Sequence, residues 1–314
     1  MKYSDIGLRV LAAKECGIVK TNAQFWGNFA DREKFNKVVL NDDRVIKTSE
    51  KISSELDSTD REEGIICAYD DEFPFINRKV KNNGDKPYLL FYRGDLSLLN
   101  DLNKNIAVIG LTDPDEEITK RETDIVRRLV KNDLVIVSGL AIGCDTIAHK
   151  TSLETNGKTI AILPSQLGKV YPTENRDFAE EIVRKGGLLV SEYYKDADSK
   201  YEAINRFIER DRLQAMFSKA IILIASYRKG EGDSGSRHAM EAARKYEIER
   251  YAMYNSKMDE DNKRFGLNKD LVNSKGADQV KILIPSSIDH IKSLANPNLS
   301  LDAYPNIGEQ LTLL

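Results

Sequence analysis

Residues 135–145, Val-Ile-Val-Ser-Gly-Leu-Ala-Ile-Gly-Cys-Asp, constrain this chain more than any other stretch. A short apolar, β-branched run ends in Ser138-Gly139, then Gly143 and Asp145 follow, and a helical pattern begins. This reads as a buried parallel strand passing through a glycine-rich turn into a helix. Such a turn aims backbone N–H groups at whatever lies above the strand end. N–H groups at a helix start favour an anion.

The same rhythm extends in both directions. Apolar runs at 106–110, 158–163, 188–192 and 220–225 are predicted strands, with a further one at 248–254. Helical patterns at 118–130, 146–154, 178–185, 207–217 and 237–246 separate them, and 178–185 is stopped by Gly186-Gly187. Shorter candidate strands lie at 65–69 and 88–92. Continuous apolar strands, each followed by a helix, indicate an α/β fold whose mostly parallel sheet is covered on both faces. Right-handed crossovers then give an extended, Rossmann-like doubly wound architecture, with ligands beyond the carboxyl ends of the strands.

Residues 1–60 read as a small helical N-terminal domain, with Ile6, Leu8, Val10 and Leu11 opening an apolar stripe that Phe25, Trp26 and Phe29 continue. The polar break Asp57-Ser58-Thr59-Asp60 marks the boundary, residues 61–294 form the Rossmann-like domain, and 295–314 form a flexible C-terminal tail.

Composition narrows the function classes. A formal net charge of −3 excludes a globally basic nucleic-acid binder but leaves room for a local basic patch. The cysteines, Cys16, Cys67 and Cys144, form no Cys-x-x-Cys pair, so neither a zinc site nor a disulfide framework is expected. The first residues do not open a signal peptide, and no apolar run approaches the ~18 residues of a membrane span. A cytoplasmic protein without a metal or other cofactor is the expectation.

Four segments fall at predicted strand ends: 110–114, 138–145, 164–175 and 226–237. Ser234-Gly235-Ser236 gives a second glycine- and hydroxyl-rich strand-to-helix turn, and two such turns on one edge argue for a ligand more strongly than one. Neither Gly-x-Gly-x-x-Gly nor a P-loop lysine followed by Ser/Thr is present, which disfavours dinucleotide and ATP readings. Arg210-Asp211-Arg212 is the main basic feature. At helical spacing Arg206 and Arg210 share a face and Arg212 points elsewhere, so the cluster serves either phosphate contact or a charge network with Asp211 and Glu209. Asp145 and Glu241 could be acids of a hydrolase, but capping of loop backbone is the favoured role for Asp145. His149 and His238 sit early in predicted helices, where surface histidines are more common than a catalytic pair.

Together these segments resemble the DNA-processing protein A family (DprA, also called Smf). Ser138-Gly-Leu-Ala-Ile-Gly143-Cys-Asp145-Thr-Ile-Ala-His149 is similar to its Ser-Gly-Leu-Ala-x-Gly-x-Asp-x-x-Ala-His motif. The stretches 88–96, 157–163, 170–175 and 189–193 match in order, as do Phe207 to Ala215, Ser234 to Ser236 and 266–277, so the resemblance spans roughly residues 65–285. It implies a non-enzymatic homodimer that binds single-stranded DNA and hands it to a RecA-type recombinase, in transformation, recombination or the response to foreign DNA. The implied DNA- and phosphate-binding residues are Gly110, Ser138, Gly139, Gly143, Lys169, Asn175, Arg210, Arg212, Ser234, Gly235 and Ser236. Binding of this kind is salt-dependent and tolerant of sequence.

The chain departs from the family where cations are usual. Thr112, Ile142 and Thr173 stand at positions often basic in relatives, Asp113 repels phosphate, and Asp211 replaces the Asn of Arg-Asn-Arg. Lys169 and Arg176 could compensate. The winged-helix-like extension usual at the family's C-terminus has no obvious counterpart. Gln310-Leu311-Thr312-Leu313-Leu314 instead resembles the short peptide that docks bacterial proteins onto the DNA polymerase sliding clamp, with Gln310, Leu311, Leu313 and Leu314 as its contacts. The alternative reading is an enzyme or sensor for a nucleotide-derived small ligand. The lysine-decarboxylase-like (LOG) phosphoribohydrolases share the architecture, and Glu241 after Ser234-Gly235-Ser236 loosely echoes their loop, although their full Pro-Gly-Gly-x-Gly-Thr sequence is missing.

Overall fold

The structure is a computed structural model that describes residues 3–57 and 63–294. Four helices come first: α1 (Asp5–Glu15), α2 (Asn22–Asn28), α3 (Arg32–Val39) and α4 (Asp43–Asp57). Strands β1 (Gly64–Cys67) and β2 (Leu89–Gly94) follow. Then strands and helices alternate: β3 (Asn105–Ile109), α5 (Glu116–Lys131), β4 (Val135–Ser138), α6 (Cys144–Glu154), β5 (Thr159–Leu163) and α7 (Arg176–Arg184). The series continues with β6 (Leu188–Ser191), α8 (Lys200–Met216), β7 (Ala220–Leu223), α9 (Ser236–Lys245) and β8 (Glu249–Ala252). It closes with α10 (Gly266–Asn273), β9 (Lys281–Ile282) and α11 (Pro285–Ser293).

The strands form one sheet in the order β1-β2-β6-β5-β4-β3-β7-β8-β9. From β6 to β9 neighbours run parallel, whereas β2 is antiparallel to both β1 and β6. The chain winds outward from β3 through β4, β5 and β6, then returns past β3 to β7. That reversal creates a crevice above the carboxyl ends of β3, β4 and β7.

Period-2 alternation explains how the sheet is covered on both sides. Leu90, Ile160, Ile162, Leu188 and Val190 join one core cluster, while their neighbours Leu89, Phe91, Ala161, Leu163 and Leu189 join the other. The second cluster also takes Val10 and Leu11 of α1, Phe25 of α2 and Phe35 of α3, so the N-terminal helices share a core with the sheet. The boundary expected at 57–60 falls almost entirely on residues 58–62, outside the described residues, as do the tail 295–314 and its clamp-like peptide.

Helix α8 starts seven residues earlier than its apolar pattern suggests. The cause is a capping arrangement: Ser199 Oγ accepts the N–H of Glu202, and Glu202 Oε2 accepts the N–H of Asp198. The added turns expose Tyr201 and Ile204, which is why hydrophobic periodicity misses them. Strand β9 is two residues long, too short for any periodic signal.

Candidate functional site

The loop after β4 is held by contacts that specify its residue types. Ser138 Oγ donates to the carbonyl of Val108, 2.7 Å away, tying the end of β4 to β3. Gly143 has a positive φ of 77°, and a Cβ there would lie 2.5 Å from the carbonyl oxygen of Leu111. A Cβ on Gly139 would fall 1.3 Å from Arg210 Nη1, so this glycine makes room for the guanidinium. Asn175 Nδ2 donates to the carbonyl of Leu140 (2.9 Å) and to Thr146 Oγ1 (2.8 Å), bracing the loop from behind.

The cradle suggested by the sequence is filled by the chain itself. Asp145 Oδ2 accepts the N–H groups of Gly139 at 3.1 Å and Ala141 at 3.3 Å. Asp233 has the same role between two other loops, accepting the N–H of Thr112 at 2.9 Å and of Gly235 at 3.2 Å. Ser236 Oγ donates to the carbonyl of Gly110, 2.8 Å away.

These loops enclose a cavity of about 280 Å³ at the crevice. Gly110 and Thr112 come from the β3 loop, Gly139, Ala141 and Ile142 from the β4 loop, and Tyr171 and Pro172 from the β5 loop. Asp233, Gly235 and Ser236 complete the rim after β7. Helix α8 supplies one wall through Phe207, Arg210, Asp211 and Gln214, whose spacing of i, i+3, i+4 and i+7 places them on one face. Tyr171 meets Phe207 edge-to-face at 5.5 Å, and Tyr171 is exposed.

The cavity is not basic. Among the described residues that line it, Arg210 alone is a cation, against Asp145, Asp211 and Asp233. Arg210 is buried; its Nη1 lies 3.9 Å from Asp145 Oδ2 and its Nε 3.3 Å from Asp211 Oδ1. Nη1 donates to the carbonyl of Ile162, but Nε makes no hydrogen bond. Burial pushes the Asp211 carboxyl up to about 7 although Arg210 opposes the shift. Burial raises Asp145 too, again against Arg210 and the N–H groups it accepts. Gln214 is buried, donates Nε2 to Asp211 Oδ1 at 3.0 Å, and leaves Oε1 without a partner.

A model of one family, described as DNA recombination-mediator protein A, matches residues 64–283. The chain belongs to the DNA recombination-mediator protein A family. Among curated relatives, Protein Smf of Borreliella burgdorferi is 30% identical over 146 residues, 46% of this chain and 45% of that protein. The chain thus spans about half the length of the curated relatives it matches. Among solved structures, DNA processing protein A of Streptococcus pneumoniae superposes with a TM-score of 0.61 at 23% identity, covering 90% of this chain and 91% of that one. That likeness concerns the fold. The Helicobacter pylori DNA processing protein A, whose structure is described as showing a unique single-stranded DNA binding mode, gives a TM-score of 0.59 at 28% identity, covering 78% of this chain and 99% of that one.

In this member of the mediator family, the expected site residues separate into groups. Gly110, Gly139, Arg210, Gly235 and Ser236 line the cavity. Ser138, Gly143 and Asn175 stand behind it and shape its loops. Lys169, Arg212 and Ser234 are outside its lining. Lys169 pairs with exposed Asp196. Arg212, on the far side of α8 as its spacing implied, grips Glu192 with two bonds of 2.7 Å and donates Nε to the carbonyl of Asp85. His149 is fully buried, its Nδ1 2.6 Å from Thr159 Oγ1, and burial with the nearby Arg210 charge lowers it to about 3. Neither His149 nor His238 lines the cavity. Residue pattern alone does not single out Tyr171, Phe207, Asp211, Gln214 and Asp233 as site residues. For the α8 members, the i, i+3, i+4, i+7 spacing around Arg210 is the available signal.

Proposed function

We propose that this chain binds single-stranded DNA along the carboxyl edge of its sheet and delivers it, in the cytoplasm and as a homodimer, to a RecA-type recombinase. The observation that carries the reading is the cavity at the topological switch point, built from the segments that place the chain in the mediator family. The single-stranded DNA binding mode described for the Helicobacter pylori relative, whose solved chain is covered over 99% of its length, supports the ligand. Lys229 and Arg237, in and just after the loop that follows β7, make no ion pair among the described residues and are available to phosphates at the rim. Gly139, Gly235 and Ser236 present backbone at close range, and Arg210 sits inside.

The test is binding of a short labelled oligothymidylate across a salt series. Affinity falls with salt, and Arg237→Ala lowers the slope by about one phosphate contact. Absence of binding at low salt, with tight binding of a mononucleotide, overturns this reading in favour of a nucleotide-derived small ligand. That second reading draws support from the carboxylates that line the cavity. Docking of residues 310–314 on a sliding clamp is a separate proposal, checked by loss of clamp capture when they are deleted.

A further inference from the structure

We infer that Asp233 competes with the strand: its carboxylate holds backbone amides that a phosphate would take at the cavity rim, and it tunes the affinity of the site by having to be displaced. The proposal rests on the single-strand reading above and deepens it by naming the residue that regulates that binding. Asp233 bridges two loops far apart in sequence. Its Oδ2 accepts the N–H of Thr112, after β3, at 2.9 Å, and its Oδ1 accepts the N–H of Gly235, before α9, at 3.2 Å. An anion with one oxygen on each of two amides is how a phosphodiester would be held there. Asp233, Thr112 and Gly235 all line the cavity, and Thr112 and Gly235 are exposed.

The cavity holds a second carboxylate of this kind, and the contrast identifies the one that can yield. Asp145 takes the N–H groups of Gly139 and Ala141, is 7% exposed, and lies 3.9 Å from the Arg210 guanidinium. Moving it strips buried donors of their acceptor and a buried cation of a partner, which is costly. Asp233 is only half-buried and pairs with no cation among the described residues. Its main chain is held separately, because its carbonyl accepts the N–H of Tyr227 at 3.2 Å. The side chain can therefore turn away while the loop stays in place.

A phosphate at these amides also meets cations that the carboxylate leaves unused. Lys229 and Arg237 flank Asp233 in sequence and pair with no carboxylate among the described residues. Both bear on His238, in the first turn of α9, which is held below its usual range by burial first, then by Arg237 and Lys229, with Glu241 opposing. The His238 N–H in turn reaches the carbonyl of Gly235 at 3.0 Å, so the two cations stand on the Gly235 side of the rim. There a phosphate gains from charges and amides together, whereas Asp233 in place repels it and withholds the amides.

The experiment measures binding of the labelled oligothymidylate to the full chain and to its Asp233→Ala variant across the salt series. Freed amides and a lost like charge are expected to tighten binding about fivefold at low salt and to steepen the salt dependence by about one phosphate contact. A residue that merely braces the two loops predicts the reverse. Weaker or unchanged binding by folded Asp233→Ala therefore overturns the proposal and leaves the single-strand reading standing. Asp233→Asn, which keeps the shape and loses the charge, serves if the alanine variant does not fold. It is expected to tighten binding by a smaller factor, and unchanged or weaker binding again overturns the proposal. Inorganic phosphate titrated into isotope-labelled protein reads the site directly by amide NMR. The Thr112 and Gly235 amides are expected to shift in the variant and not in the parent, and equal behaviour of the two proteins counts against displacement. If neither protein binds the oligomer, the single-strand reading falls and this titration decides alone, with unmoved amides in the variant overturning the proposal.

Discussion

Arg210 and Arg212 lie two residues apart on α8 and live in opposite regions. Arg212 belongs to the seam between the N-terminal helices, β6 and α8. There it grips Glu192, which also accepts from Asn22 Nδ2 at 3.4 Å, and it donates to the backbone of Asp85 and Glu209. Arg210 faces the cavity, flanked by two carboxylates whose protonation burial favours, and its Nε is in an ion pair with Asp211 but makes no hydrogen bond. The comparison separates a structural charge from a site charge. In the seam every guanidinium nitrogen of Arg212 has an acceptor. At the cavity wall the buried Arg210 Nε and Gln214 Oε1 make no hydrogen bond, so the polar groups there are less fully matched than those around Arg212.

Breaking the seam should have the largest effect. Arg212→Ala leaves Glu192 buried without its cation and should cost about 3–5 kcal/mol of stability, read by denaturant unfolding. Binding of single-stranded DNA by the fraction still folded should be unchanged. If Arg212→Ala keeps full stability but loses binding, the division between the two arginines is wrong.

Next comes the cavity side. Gly139→Ala puts a methyl where the Arg210 guanidinium lies and should displace it, lowering affinity for single-stranded DNA by about 1–3 kcal/mol. A fluorescence anisotropy titration checks this, and unaltered affinity would remove Arg210 from the site.

A smaller effect comes from Asp211. Its folded pKa, about 7, stands above the ordinary 3.8, so the folded state holds its proton more tightly than the unfolded chain. The stability this gives is fully present below the unfolded value and is lost as pH rises through about 7. Asp211→Asn removes that dependence. The variant should gain on the parent between about pH 4 and pH 7 and then hold a constant difference above. A difference that stays flat across that range would show Asp211 to be ionised in the fold throughout. The smallest effect belongs to Lys169→Ala. Its pair with Asp196 is exposed and screened by solvent, so the melting temperature should barely move.

Much of the architecture is legible in the sequence because it depends on local period. The runs at 106–110, 135–137, 158–163 and 220–225 are the central parallel strands, and Gly186-Gly187 does stop α7: Gly186 has a φ of 76° and the N–H of Gly187 reaches the carbonyl of Ile182. The cavity's makeup is less legible. The sequence favours Asp145 as a loop cap, and the structure gives it Gly139 and Ala141. That same contact uses up backbone donors that the glycine-rich turn offers to phosphate. Lys169 lies in a strand-end loop as expected, but Asp196 claims it from the loop after β6.

The residue pattern by itself settled the order of strands and helices, the glycines where loops cross closely, and the opposite directions of Arg210 and Arg212. These follow from backbone geometry and the 3.6-residue period, which act within a few residues. Only the folded molecule decided what lies across from each side chain: Glu192 for Arg212, Asp196 for Lys169, and no hydrogen-bond partner for Gln214 Oε1. Several of those partners come from strands and loops distant in the chain, and whether a charge is matched or left over is a property of that meeting, not of the segment that carries it.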